Sequence, residues 1–309
     1  MRIFITGGAG FGGSGLVHEL LRRGYRITVL DITAPSHAEL LEDVIDQINY
    51  LWKSVHDISR YDLEGHDIIL HFSAQADVPM GFPSPSWTIY QNVLGTLKLL
   101  EACRKVKGIK KVFLASSGNV FGRPKYLPID ENHPLTPHNP YAASKACQEL
   151  LFQAYHRCYD IPIVIFRNGI IYGPNMRREI FIFKWLWNIL NDKPCILEGG
   201  DQTRDPTYVS DTLNAWVLGI ESEEKKVVGE TFQISFGKEY KVKDILNKCF
   251  KVCGKKVPII QKPYRPGEEG QKECFDISKA RKILGYNPKV DLDEGLKKTV
   301  EWMKEKFEL

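Results

Sequence analysis

No apolar stretch in this 309-residue chain approaches the roughly 18 residues that a membrane-crossing helix needs. The nearest candidate, "FIFKWLWNIL", is short and carries Lys184, so no membrane span is expected. The opening "MRIFITGG" is too brief an apolar run for the core of a secretory signal, and it leads straight into a glycine turn. Internal repeats and low-complexity linkers are missing, so the parts of the chain must pack directly on one another. Charge of one sign is scarce as well. With 42 basic and 38 acidic residues the net charge is +4, and there is no basic stripe of the kind that tracks nucleic acid. The one short basic cluster, "RKVKGIKK" from Arg104 to Lys111, reads as a solvated helix end and loop. The seven cysteines are scattered and odd in number, and Cys249 and Cys253 have no histidine or second pair nearby. No metal site is expected, and reduced thiols fit a soluble cytoplasmic protein. Among the histidines, His71 ends an apolar strand and is expected to pack there. His133, His138 and His156 are scattered, so no histidine nucleophile is proposed.

What is present is alternation. "RIFIT" is followed by a glycine turn and the helical "SGLVHELLRRG", with Gly24 placed to end it, and "YRITVLD" is the next strand. "HDIILHFSA" and "KKVFLASS" are short apolar runs separated by the helical "YQNVLGTLKLLEACRKV", and "IPIVIFRNG" follows one more helix. Strands apolar throughout that alternate with helices imply a parallel sheet covered on both faces. The fold class is therefore α/β, a Rossmann-type doubly wound parallel sheet over residues 1–167. After residue 168 the pattern loosens into shorter strands ("PCILEG", "GETFQISF") among helices ("DTLNAWVLGI", "KVKDILNKCFKVCG", "LDEGLKKTVEWMKEKF"). Residues 168–309 are expected to form mainly a smaller α/β substrate domain, with some segments returning to the first. At 43% hydrophobic the chain can bury a core of that extent.

Two local patterns carry chemistry. In "TGGAGFGGSG", Gly8, Gly10 and Gly13 fit G-x-G-x-x-G while Gly7, Gly10 and Gly13 fit G-x-x-G-x-x-G. A strand precedes this turn and a helix follows it, which is the arrangement that lets backbone amides approach a pyrophosphate. Asp31, about twenty residues on at the end of the second strand, can bind ribose hydroxyls and would repel a ribose phosphate, so NAD is favoured over NADP. The second pattern is "HNPYAASK". Pro140 suits the first helical position, Asn139 can cap, and Tyr141 and Lys145 share a face one turn apart. By itself that pair also fits an ordinary helix start with a solvated lysine.

The motifs in order give a stronger reading. "TGGAGFGG", "HDI", "HFSAQADV", "QNVLGTLKLLEACR", "ASSGNVFG", "NPYAASK", "FRNGIIYGPN", "GGDQTRDPTYVSD", "YRPGEEG" and a late "DISKARKILGYNPKVDLDEGLKKTVEWM" span nearly the whole chain. Together they resemble the extended short-chain dehydrogenase/reductases, in particular the NAD-dependent sugar-nucleotide epimerase/dehydratase family. The resemblance implies a catalytic set of Ser117, Tyr141 and Lys145. Tyr141 would be the acid/base, Lys145 would bind the nicotinamide ribose and depress the tyrosine's pKa, and Ser117 would hydrogen-bond the reacting sugar oxygen. Ser116 is expected to be structural or a substrate contact. Further cofactor contacts implied are Gly7, Gly10, Phe11, Gly12, Gly13, Asp31, Asp57, Ile58, Ser73, Ala74, Asn92 and Asn168, with Asp57 and Ile58 at the adenine. Arg204 and Arg265 would take the diphosphate of a nucleotide sugar, and Glu268 would hold its ribose.

Dehydratases of this family carry an Asp-Glu pair directly after the catalytic hydroxyl residue, and the related decarboxylases keep the glutamate. Here those places hold Gly118 and Asn119, neither of which can trade a proton. The expected activity is therefore epimerisation at carbon four of a UDP-hexose through a 4-keto intermediate. A keto-sugar reductase, or a cofactor-binding regulatory protein without chemistry, is the alternative. Two departures bear on the sugar. Ile170 stands where family epimerases hold an asparagine, and Pro206 where an aromatic or aliphatic residue is usual. A homodimer through the helices around Gly95 and Leu150 is implied too.

Overall fold

The computed structural model describes residues 1–309. Six parallel strands form most of one sheet: β1 (Arg2–Thr6), β2 (Arg26–Asp31), β3 (Asn49–Trp52), β4 (Ile68–His71), β5 (Lys111–Ser117) and β6 (Ile163–Asn168). A seventh, Thr231–Ile234, joins beside β6, so the spatial order is Thr231–Ile234, β6, β5, β4, β1, β2, β3. This is the doubly wound arrangement, in which the order reverses between β1 and β4 and opens a crevice at the strands' carboxyl ends. The central strands read apolar because both faces are covered. β4 and β6 are buried at every position. β3 is absent from the sequence expectation because it is a half-exposed edge strand without a continuous apolar run.

Residues beyond 168 contribute to two cores. Ala215, Trp216 and Ile220 of the helix Val209–Glu221 pack with Leu16, Val17 and Leu20 of the helix Phe11–Arg22, against one face of the sheet. A second core gathers Ile182, Trp185 and Leu186 of the helix Phe181–Leu190. Ile245 and Leu246 of Val242–Cys253 and Leu296 and Met303 of Leu292–Phe307 complete it. Ile170 and Pro206, the two departures from the family pattern, turn out to be register partners in a short parallel ladder between Ile170–Tyr172 and Pro206–Tyr208.

Several local expectations meet their physical causes. Gly24 adopts φ 79° just past the end of the helix Phe11–Arg22, where a side chain would be strained. His71 is buried, with Nδ1 against the Thr6 hydroxyl at 2.7 Å and Nε2 against the Thr96 hydroxyl at 2.8 Å. Burial, with Lys145 adding to it, lowers its pKa to about 3, so the ring is neutral. The basic cluster is corrected at its last residue. Lys111 is not solvated: it lies within β5 and is buried. Its ammonium donates to the carbonyls of Gly219, Ile220 and Ser222 at 3.2, 2.6 and 2.6 Å. It thereby satisfies the C-terminal end of the helix Val209–Glu221, where carbonyls lack intrahelical donors. Lys111→Met keeps the stem and removes the donor. It should lower unfolding stability by about 1–3 kcal/mol in urea titrations, with the m-value unchanged.

Candidate active site

A cleft of about 670 Å³ opens at the carboxyl ends of the strands. The glycine turn forms one end. Gly7 adopts φ 71°, and a side chain there would meet the Ser73 amide at 2.7 Å. A Cβ on Gly13 would strike the Gly7 carbonyl, and one on Gly12 would press on the Phe72 ring at 3.2 Å. The amides of Phe11, Gly12 and Gly13 open the helix and have no preceding helical carbonyl to bond. Asp31 is buried beside them, and its carboxylate accepts the Ala9 and Thr33 amides, each at 2.9 Å. A carboxylate so held keeps lone pairs for hydroxyl donors. This cradle fits a dinucleotide.

Ser117, Tyr141 and Lys145 all line the cleft. Asn139 caps the helix Pro140–Tyr159 by accepting the Ala142 amide at 2.8 Å. That fixes the first turn and turns Tyr141 and Lys145 inward, where both are buried. The Lys145 ammonium donates to the Ala115 carbonyl at 2.8 Å and lies 6.0 Å from the centre of the Tyr141 ring. Burial lowers its pKa to about 8, while the Glu149 carboxylate opposes the shift. Ser117 ends β5, and its Oγ accepts from the Asn119 amide and side chain, each at 3.2 Å. With acceptor sites filled, the Ser117 proton is left to donate. Sequence reasoning assigned the lowering of the Tyr141 pKa to Lys145. In the protein itself burial dominates and raises it, and the groups that pull it down are the Ser117 hydroxyl and the Arg177 guanidinium.

Ser116 bonds Glu149 Oε1 at 2.5 Å, although it also touches the cleft wall. Asn168, at the end of β6, lines the cleft and donates to the Ser116 carbonyl at 3.2 Å. Ser73 and Ala74 line it too. Three assigned residues do not. Asn92 is buried, accepting from the Gln75 amide at 2.6 Å and donating to the Ser144 hydroxyl at 2.8 Å, so it holds the wall from behind. Asp57 and Ile58 lie off the cleft, where the wall is formed by Lys53, Ser54 and Val55.

At the far end Arg204 pairs with Glu268 at 3.2 Å and with buried Glu273 at 3.6 Å. Arg265 pairs with Glu198 at 2.5 Å and reaches Glu268 at 3.9 Å. Arginines and glutamates thus alternate along this wall. Asp205, next to Arg204, faces the other way and accepts the Phe275 amide at 3.1 Å. Phe275 is thereby held against Gly118, where any Cβ would overlap its ring. Sequence reasoning did not single out Arg177, Glu149, Glu198, Glu273 or Phe275. Only Glu149 left a signal, standing at i+8 from Tyr141 on the same helix face.

The family model for GDP-mannose 4,6 dehydratase matches residues 4–299. The chain belongs to the NAD-dependent nucleotide-sugar epimerase/dehydratase family. It is 33% identical over 309 residues to a putative UDP-glucose 4-epimerase of Methanocaldococcus jannaschii, covering 98% of each chain. It is also 33% identical over 319 residues to a dTDP-glucose 4,6-dehydratase of Streptomyces niveus, covering 99% of this chain and 93% of that one. The crystal structure of a UDP-glucuronic acid 4-epimerase from Bacillus cereus, in complex with UDP-glucuronic acid and NAD, superposes with a TM-score of 0.92 at 29% identity, covering 99% of both chains. Family membership thus spans both reaction types. Gly118→Asp should lower the unfolding midpoint sharply. In a double-mutant cycle with Phe275→Ala the two losses should fall short of additive by about 1 kcal/mol or more, because the second change opens the space the first requires.

Proposed function

We propose that the protein is an NAD-dependent nucleotide-sugar 4-epimerase, its substrate a UDP-hexose. The observation that carries this is a complete Ser117, Tyr141 and Lys145 set beside a position 118 with neither an acid nor room for one. Elimination of water across carbons five and six needs a proton carrier there, and Asn119 cannot serve. What these residues can do is reversible oxidation at a sugar carbon. Tyr141 takes the carbon-four hydroxyl proton and later returns it, and Ser117 donates a hydrogen bond to that oxygen. NAD, when bound, supplies the hydride acceptor and donor. It is held by the amides of Phe11, Gly12 and Gly13 on its pyrophosphate, Asp31 on its adenosine ribose, and Lys145 on its nicotinamide ribose. Arg204 and Arg265 hold the substrate diphosphate, which requires them to exchange glutamate partners for phosphate oxygens. Homodimerisation is supported by the exposed Trp87, Tyr90, Leu94 and Leu150 on the two helical segments concerned. Gly95 itself faces inward, where a Cβ would meet Val55 at 2.8 Å. No helix is long and apolar enough to cross a membrane, and all seven cysteines are free thiols; we place the enzyme in the cytoplasm.

Tyr141→Phe retains the ring and its packing but removes the proton carrier. Steady-state turnover should fall by roughly 10²–10⁴, with thermal unfolding little changed. Near-normal turnover of this variant would mean that the proton passes elsewhere.

Isotopes separate the reaction types. The carbon-four hydrogen leaves and returns within the closed site, while only the hydroxyl proton exchanges with water. Run in D₂O without added NADH, the reaction should interconvert the two epimers and leave every carbon free of deuterium by mass spectrometry. Stoichiometric NADH consumption would indicate a reductase, and deuterium at carbon five or six would indicate elimination.

A further inference from the structure

Residues 263–270 form a strap that carries Arg265 and Glu268 into the cleft wall. The strand Ile259–Lys262 precedes it, and buried Gln271, whose carbonyl accepts the Thr203 amide at 3.1 Å, follows it. Between these anchors the backbone bonds only within the strap's own turns. The Glu268 amide donates to the Arg265 carbonyl at 3.0 Å, and the Gln271 amide to the Glu268 carbonyl at 3.1 Å. A segment with so few backbone ties depends on side-chain contacts for its place.

Three polar contacts join the strap to the rest of the protein. Arg265 pairs with Glu198 at 2.5 Å, and Glu268 pairs with Arg204 at 3.2 Å. Under the proposed function both of these break when a diphosphate takes the two arginines from their glutamates. The third contact comes from outside the cleft, where Arg123 Nη2 donates to the Glu269 carbonyl at 2.5 Å. It ends on a main-chain oxygen and uses no group that the diphosphate would claim. It is therefore the contact that survives the exchange.

Arg123 stands on a firm base. It follows the short helical turn Gly118–Phe121, whose Val120 carbonyl accepts the Thr136 amide at 3.0 Å. The Phe121 carbonyl accepts the Thr136 hydroxyl at 2.5 Å. Gly122, at φ 56°, passes so near the Thr136 carbonyl that a Cβ would strike it. The Arg123 guanidinium covers Gly270, where an added Cβ would stand 3.6 Å from it. Gly267, at φ 82°, rests on His138, whose ring a Cβ would meet at 2.6 Å. The strap is thus set against the segment that begins at Ser117 and the one that caps the helix of Tyr141.

We propose that Arg123 is a positioning residue: it keeps the strap docked while Arg265 and Glu268 change partners, so that Arg265 meets an incoming nucleotide diphosphate already in place. The proposal rests on the reading that Arg204 and Arg265 hold the substrate diphosphate, and it does not depend on epimerisation.

Calorimetry of UDP binding to the NAD-loaded enzyme should show Arg123→Met weakening affinity at least about fivefold, the loss of one charge-assisted bond and of the preorganisation it gives. The thermal unfolding midpoint should change little, since Arg123 is exposed. Arg123→Lys keeps a donor for the carbonyl and should recover part of the affinity. Glu269→Ala leaves that carbonyl in place and should bind UDP within about twofold of wild type. In the ligand-free enzyme a glutamate-specific protease should cut after Glu268 and Glu269 at least about fivefold faster in Arg123→Met, followed by mass spectrometry, because the strap opens more often. Where a nucleotide sugar is turned over, the loss should appear in KM with kcat nearly unchanged. Unchanged UDP affinity or unchanged cleavage in Arg123→Met overturns the proposal. So does an equal loss in Glu269→Ala, which would assign the effect to the Glu269 charge, and so does a fall in kcat with KM unchanged. A wild-type enzyme that does not bind UDP overturns it together with the reading of Arg204 and Arg265. If no sugar is epimerised, yet Arg123→Met weakens UDP binding and frees the strap, the epimerase reading falls and the latch stands.

Discussion

The guanidinium of Arg167 and the carboxylate of Glu149 meet at 2.8 Å where both side chains are almost wholly shielded from water, and the placement of Ser117, Tyr141 and Lys145 depends on that contact. Glu149 lies two turns along the helix from Tyr141 and one from Lys145, so all three share a face directed at the sheet. Arg167 belongs to β6, next to Asn168. The same carboxylate receives the Ser116 hydroxyl from the end of β5, adjacent to Ser117. One buried carboxylate thus ties together the three elements that carry Tyr141, Lys145 and Ser117 and that flank them. Arg167 extends the tie by donating to the Glu131 carbonyl at 3.0 Å and stacking over Phe121 at 4.9 Å. A pair of this kind adds little net stability, yet breaking it would strand a charge at a cost of about 3–5 kcal/mol. Its effect is to fix position.

Around this tie the two halves of the cleft differ in electrostatic character. At one end, arginines and glutamates alternate from Glu198 through Arg265, Glu268 and Arg204 to Glu273, and under the proposed function an incoming diphosphate displaces carboxylates from cations. Such exchange favours a ligand that offers several anionic oxygens at once. Elsewhere the lining includes the uncharged Ser117, Gly118, Asn119 and Ile170, with Asp77, Glu179 and an Arg177 that bonds the Ala76 carbonyl. Phe275 closes off the space behind Gly118 and is itself held by buried Asp205, whose pKa is raised to about 7 by desolvation. The apolar filling at that point occupies the volume that a side chain at position 118 would need.

The elements that were legible in the sequence are those governed by short-range rules. The glycine turn needs backbone freedom at fixed offsets, the proline after Asn139 marks a helix start, and Tyr141 and Lys145 must share a face if that helix forms. Apolar runs identified β1, β2, β4, β5 and β6 because strands buried on both faces leave that imprint. β3 was missed for the converse reason, since an edge strand has a wet side. Lys111 was misread because a lysine in a basic run looks solvated until three helix-end carbonyls are brought to it. Asn92 was assigned to the cofactor. Its amide instead spans Gln75 and Ser144, a pairing between segments 17 and 52 residues away in sequence.

By itself the sequence determined the strand–turn–helix cradle with Asp31, the single helix face bearing the tyrosine and lysine, and the missing acids at positions 118 and 119. Each of these is set by the residue itself or by its neighbours within about one helical turn. Only the tertiary structure decided that Phe275 fills the place beside Gly118, and that Ile170 and Pro206 are partners in one ladder. It also decided that Glu149 anchors the whole set, and that Arg177 is the arginine on the cleft wall without a carboxylate partner. Those facts are differences between residues far apart in the chain. Whether a charge is answered or a volume filled depends on what packs against it, and local periodicity carries no record of that.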